Sequence, residues 1–207
     1  MKIGIIGAGD VAKSLGKAWQ QAEHKVMISS RHPENIEATQ LRIGTAEDSA
    51  RFGDVIVLAV NYASLESAIQ SIEPHVVDKL VIDATNPLVL DAAGKINRVI
   101  GDDQIAGELM QARLPNARIA KAFTTLWTGH IQQQAYAKPR IAMTLAADEE
   151  VDRKQVATLI EEVGLAPLDL GTLSESRPLD PPSPIWNVVL TVPEAAERIA
   201  AFRTSRR

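Results

Sequence analysis

The chain contains no cysteine. That excludes disulfides, thiolate nucleophiles and cysteine-bound metals together. Its four histidines, at positions 24, 32, 75 and 130, lack any paired ligand spacing, so no metal site is expected. No apolar run approaches the length of a membrane span. The N-terminus enters a strand just after Lys2, with no apolar signal region or small-residue cleavage site, so no secretory leader is expected. Neither sign of charge forms a long block, and the net charge of −4 argues against nucleic acid or an anionic membrane as partner. What remains is the expectation of a cytoplasmic protein whose partner is a small molecule.

The 207 residues are enough for a full core, and 45% hydrophobic with 23% charged residues is an ordinary globular balance. Ile3 to Ile6 reads as a buried strand closed by Gly7-Ala8-Gly9, and Asp10 to Ala22 as a helix with Val11, Leu15, Ala18 and Trp19 on one face. Lys25 to Ser29 is a second strand, and His32-Pro33-Glu34 starts another helix. Further strands are expected at Leu41 to Ala46, Asp54 to Val60, Lys79 to Ala84, Arg118 to Phe123, Arg140 to Ala146 and Pro167 to Leu170. Helices are expected over 47–52, 65–72, 104–114 and 149–163. Thr124 to Trp127 opens a helix or a loop, Leu88 to Gly101 reads as a loop, and Ser174 to Pro184 as a proline-rich connection. Ile185 to Phe202 reads as a last helix kinked at Pro193. This alternation predicts a doubly wound (Rossmann), mostly parallel α/β sheet with helices on both faces. A single domain, residues 1–207, would carry a C-terminal strand-and-helix extension from about residue 138.

The first turn has the form G-x-G-x-x-A over residues 7–12, between a strand and a helix. Gly7 permits the tight turn, Gly9 lets backbone approach a pyrophosphate, and Ala12 keeps helix and strand close. The helix N-terminus, with Ala8, Asp10 and Val11 beside it, offers free amides to an anion. An NAD-binding unit would place Asp or Glu about twenty residues on. Ser29-Ser30-Arg31-His32 stand there instead. A hydroxyl and a guanidinium suit the 2′-phosphate of NADP, which a carboxylate would repel.

The turn GAGDVA, the reader SSR at 29–31, KAFTTL at 121–126 and GLAPLDLGTLSESR at 164–177 follow in order. Together they resemble the NADP oxidoreductase, coenzyme F420-dependent family, in which a deazaflavin exchanges hydride with NADP. The same arrangement is similar to the cytosolic reductase domain of the STEAP metalloreductases, which pass electrons from NADPH to a flavin. The resemblance implies that Gly7, Gly9, Asp10 and Val11 lie at the pyrophosphate, and Ser30 and Arg31 at the 2′-phosphate with His32 beside them. It further implies that Ala59, Val60 and Asn61 follow the ribose and nicotinamide half, with Asn86 and Pro87 next to it. Thr124 and Thr125 would line the entry of the second substrate, and Trp127 could stack on an aromatic one. Three positions depart from the family pattern: a turn with fewer glycines, Thr124 where many relatives carry Asn, and Asn35 where a basic residue often follows the reader.

Hydride transfer between two rings needs stacking and exclusion of water more than catalytic side chains. The implied activity is an NADP-dependent oxidoreductase with a flavin or deazaflavin as hydride partner. One alternative is a reductase of a small carbonyl or imine, for which Lys121, His130 and Asp83 are the candidate proton donors. Each of the three also reads as an ordinary packing or hydrogen-bonding residue. Another alternative is a non-catalytic NADP-binding redox sensor. Ile185, Val188, Val189 and Val192 suit core packing or a dimer contact, and a homodimer is expected.

Overall fold

A computed structural model describes residues 1–35 and 40–205. Most of the helix expected after His32 lies outside the described residues; within them, Pro33–Asn35 form one 3-10 turn. Among the described residues, ten strands and seven helices follow in chain order: β1 Lys2–Ile6, α1 Asp10–Gln21, β2 Lys25–Ser29, β3 Arg42–Gly44, α2 Ala46–Phe52, β4 Val55–Leu58, α3 Leu65–Ile72, β5 Leu80–Asp83, β6 Leu88–Leu90, β7 Ile96–Arg98, α4 Ala106–Arg113, β8 Arg118–Ala122, α5 Thr128–Gln134, β9 Ala142–Ala147, α6 Glu150–Glu162, β10 Ala166–Asp169 and α7 Val192–Ser205.

Eight strands form one sheet in the order β10-β9-β8-β5-β4-β1-β2-β3. From β3 to β8 all neighbours are parallel, whereas β9 runs antiparallel to β8 and carries β10 alongside it. The order reverses beside β1: the chain first adds β2 and β3 on one side, then crosses to β4 on the other. Open sheets of this kind bind ligands at such a switch point, beyond the carboxyl ends of the strands.

The strands are apolar on both faces because helices cover both. Ile3, Ile5, Val55, Val57, Leu80 and Ile82 point into a cluster with α1 and α6. Ile6, Ile56, Leu58 and Val81 point the other way, into α2, α3 and α4. Trp19 of α1 is fully buried at the centre of the first cluster, edge-on to Phe123 at 5.6 Å between ring centroids. Its Nε1 donates to the carbonyl of Leu159 at 3.0 Å, so this one side chain ties α1 to α6 and to the end of β8.

Two expectations needed correction. The segment Leu88 to Gly101 is a hairpin, β6 paired antiparallel with β7, rather than a loop. Its strands are only three residues long, too short for alternation to reveal. The last helix starts at Val192, and Pro193 lies in its first turn, where its missing N–H costs nothing; it is no kink. Asn187, with φ of +57°, breaks the chain before it. Of the apolar positions there, Ile185 is buried, Val188 and Val192 pack on the cluster formed by α7, β9 and β10, and Val189 is exposed.

Trp19→Ala should remove about 3–5 kcal/mol of folding stability. Urea unfolding is the check, and a loss under about 1 kcal/mol would show that α1 and α6 do not depend on this ring.

Candidate active site

The glycine turn owes its shape to contacts that leave no room for a side chain. Gly7 has φ of +132°, a region that glycine alone enters freely, and a Cβ there would run into the carbonyl of Ala59 at the end of β4. Its N–H donates to the Ser29 hydroxyl at 3.1 Å, so Ser29, which also lines the cleft, braces the turn from β2. Gly9 is the N-cap of α1 with no side-chain cap, and a Cβ on it would meet nothing within 4 Å. Empty space beside Gly9 and uncapped amides behind it fit a pyrophosphate.

From this turn a cleft of about 650 Å³ runs towards the ends of β2 and β3. Gly7, Ala8, Gly9, Ser30, Arg31, Ala59, Val60 and Asn61 all line it, so the structure brings together eight of the residues singled out from sequence. Ser30 is held in place by its own N–H donating to the Gly44 carbonyl, while its hydroxyl accepts from the His32 N–H at 3.0 Å. Arg31 is exposed, and among the described residues no carboxylate lines the cleft around it.

Other expected cofactor residues lie elsewhere. Asp10 sits exposed in the first turn of α1. Ala12 is buried and Val11 packs on the core. His32 is exposed next to Glu34, at 3.3 Å. Asn86 and Pro87 lie on the turn after β5, outside the cleft. The far wall held residues that the sequence reading missed: Thr45 and Ala46 at the start of α2, and Ala63, Ser64, Ser67, Ala68 and Ser71 along α3. The hydroxyls at 64, 67 and 71 recur at helical spacing, which was a readable signal of a polar face. Thr45 is itself engaged, since its hydroxyl bonds Asp48 in a capping box.

Towards β5 and β8 the strand ends carry a different chemistry. Lys121 and Asp83 are both buried and paired at 2.8 Å. The Asn86 amide donates to the carbonyl of Thr124 at 3.0 Å. Thr124 and Thr125 are also buried: the first donates to the Leu179 carbonyl and the second faces Thr144. Trp127 is 57% exposed and is the large aromatic surface on this rim. His130 lies half-buried on α5, its Nδ1 without a partner among the described residues. Among the described residues no cluster of three or more histidines, aspartates and glutamates could hold a metal.

A further acid escaped the sequence reading. Asp180 is buried and caps α4 by accepting from the Ala106 N–H at 2.8 Å. Burial pushes its carboxyl up from the usual range, against the opposing pull of Lys121, the Ala106 N–H, Arg98 and Arg177. A raised folded-state value means that its stabilising contribution is complete below the ordinary carboxylate range near pH 3.9 and is lost as pH rises through the raised value. Asp180→Asn keeps an acceptor for α4. It should therefore raise the melting temperature at pH 7, by about 2–4 °C for each kcal/mol recovered, and show no such gain at pH 3.5. A variant less stable than wild type at pH 7 would contradict this.

Residues 2–87 match the family model described as NADP oxidoreductase coenzyme F420-dependent. The F420-dependent NADP reductase of Methanocaldococcus jannaschii is 25% identical, over 89% of this chain and 90% of its own length. Metalloreductase STEAP3 of Rattus norvegicus is 23% identical over 86% of this chain but only 36% of that protein, so the chain spans about a third of its length. The crystal structure of a hypothetical protein from Sinorhizobium meliloti superposes with a TM-score of 0.77 at 27% identity, covering 92% of this chain and 95% of that one. No described helix is long and apolar enough to cross a membrane. The matched residues 2–87 run from the glycine turn through both walls of the cleft to Pro87, so the similarity to NADP oxidoreductases covers the whole lining of the cleft.

Proposed function

We propose that the chain binds NADPH in this cleft and exchanges a hydride between it and a flavin- or deazaflavin-type ring. One observation carries the reading: Gly9 and the uncapped α1 open into the same cleft as Ser30 and Arg31, with no carboxylate among its described lining residues. The α1 amides would take the pyrophosphate, and Arg31 with Ser30 the 2′-phosphate. The α3 face would flank the adenosine. Bound NADPH supplies the hydride, and the protein's part is to hold the ring and exclude water.

Similarity to an F420-dependent NADP reductase and to a STEAP metalloreductase supports this partner, as does the burial of Lys121 and Asp83. A carbonyl or imine would need a proton donor on the rim, and Lys121 and Asp83 are sealed in a mutual pair instead. Trp127 offers a flat ring a surface to stack on. The reading extends to residues 1–207 acting as one domain, since β9 and β10 continue the sheet, and to a cytoplasmic homodimer. Exposed Val189 offers apolar surface for that dimer, and a monomeric sedimentation mass would overturn it.

Two variants separate binding from folding. Gly9→Ala should leave the melting temperature within about 1 °C of wild type, because its Cβ meets no atom, yet weaken NADPH binding by about tenfold or more. Arg31→Ala should cost NADPH affinity by about tenfold and leave NADH nearly unchanged, reflecting a lost charge-assisted contact. Equal effects on both cofactors would remove the case for NADP. Stopped-flow oxidation of NADPH by FMN, FAD, riboflavin and a deazaflavin tests the partner. Transfer to none of them, with tight NADPH binding intact, would favour a redox sensor.

A further inference from the structure

Lys121 and Asp83 are neighbours in register on β8 and β5, on the face covered by α2, α3 and α4. Their buried contacts all converge on the turn after β5. The Lys121 ammonium donates to Asp83 Oδ2 at 2.8 Å and to the Thr85 carbonyl at 2.5 Å. Asp83 Oδ1 accepts from the Thr85 N–H at 2.9 Å and from its hydroxyl at 2.7 Å. Thr85 is thus gripped at its carbonyl, amide and hydroxyl, and the next residue is Asn86.

The orientation of the Asn86 amide follows. Nδ2 is committed to the Thr124 carbonyl at 3.0 Å, which turns Oδ1 the other way. That oxygen is buried and has no partner among the described residues. A buried acceptor left this way is costly unless a donor from a ligand or water meets it. Its place is suggestive too. β5 is the next strand beyond β4, on the side away from β1, so Asn86 lies one strand spacing past the cleft-lining end of β4. A dinucleotide held by its pyrophosphate at Gly9 would extend its second ribose and ring along these strand ends.

We propose that Asn86 Oδ1 accepts a hydrogen bond from the carboxamide N–H of bound nicotinamide, and that the buried Lys121–Asp83 pair is the device that positions it. This rests on the NADPH reading above. A buried ion pair replaced by neutral groups of similar shape often loses no stability, so folding alone does not require these two charges. Lys121 and Asp83 are positioning residues, since they act on the ring only through Thr85 and Asn86.

The test compares NADPH with 2′-phospho-ADP-ribose, which lacks the nicotinamide, in wild type, Asn86→Ala and the double variant Lys121→Met/Asp83→Asn. Asn at 83 keeps an acceptor for Thr85. Wild type should bind NADPH more tightly than the analogue, with a rise in nicotinamide fluorescence. Both variants should bind the analogue within about twofold of wild type, lose about tenfold in NADPH affinity and lose the fluorescence rise. The double variant should fold with a cooperative melt, lower than wild type at most by what Asp180 loses with the Lys121 charge. NADPH affinity and fluorescence unchanged in Asn86→Ala would overturn the carboxamide contact. Unchanged values in the double variant, or its failure to fold, would overturn the positioning role. Equal weakening of both ligands would overturn the proposal, because the effect would not lie at the ring. Wild type that binds both ligands equally overturns it alone, whereas wild type that binds neither removes the NADPH reading as well.

Discussion

The close approach of Gly7 to Ala59 governs the geometry of the whole ligand face. β1 and β4 meet at the switch point, and the backbone leaving β1 must turn against the carbonyl that ends β4. Only a residue without Cβ fits there, and only glycine holds φ of +132° without strain. The Ser29 hydroxyl then fixes the turn to β2. Three strand ends are locked together, and the start of α1 is aimed at the space between them. The cleft is a consequence of that packing, which is why it can be open and still well defined.

The two ends of the strand-end groove solve different electrostatic problems. At the end of β2, Arg31 stands in solvent, where a cation costs little to maintain and can meet a phosphate through long-range attraction as well as direct contact. At β5 and β8 the charges are removed from water, where a lone lysine could not persist; Asp83 and the Thr85 carbonyl make it tolerable. One end is built for capture. The other is built for rigidity, with Lys121, Thr85, Asn86 and Thr124 forming a single hydrogen-bonded chain across two strands.

Much of this was legible in the sequence, for physical reasons that differ by element. Fully buried strands such as Val55–Leu58 and Leu80–Asp83 announce themselves as apolar runs, and their alternation with helices forces the parallel topology. The glycine turn was readable because backbone sterics admit few substitutes. The hairpin of β6 and β7 was not, since three-residue strands carry no period, and neither was the start of α7, where a proline looks alike in a first turn and at a kink. The opposite wall of the cleft was missed for another reason. Ser64, Ser67 and Ser71 belong to a helix whose apolar face is the stronger signal, and a polar face reads as solvent unless the fold is known to close over it. Asp180 was hidden because its partners come from β7, α4 and β8, far apart in the chain.

The division between capture and rigidity bears on what Lys121 and Asp83 can do at the proposed nicotinamide end. A proton-transferring group must be reachable, hydrated at least in part, and able to change charge during turnover. Lys121 and Asp83 are both buried and engaged with one another, so neither is reachable or hydrated. On the proposed reading the site is not asked for a reaction that delivers a proton from this pair to carbonyl oxygen or imine nitrogen. It can serve one that needs only two flat rings held in register, because hydride then passes from carbon to ring without a side chain changing its charge. The same buried pair holds the neighbouring turn by the carbonyl, amide and hydroxyl of Thr85, which is the stiffness that the proposed ring contact needs.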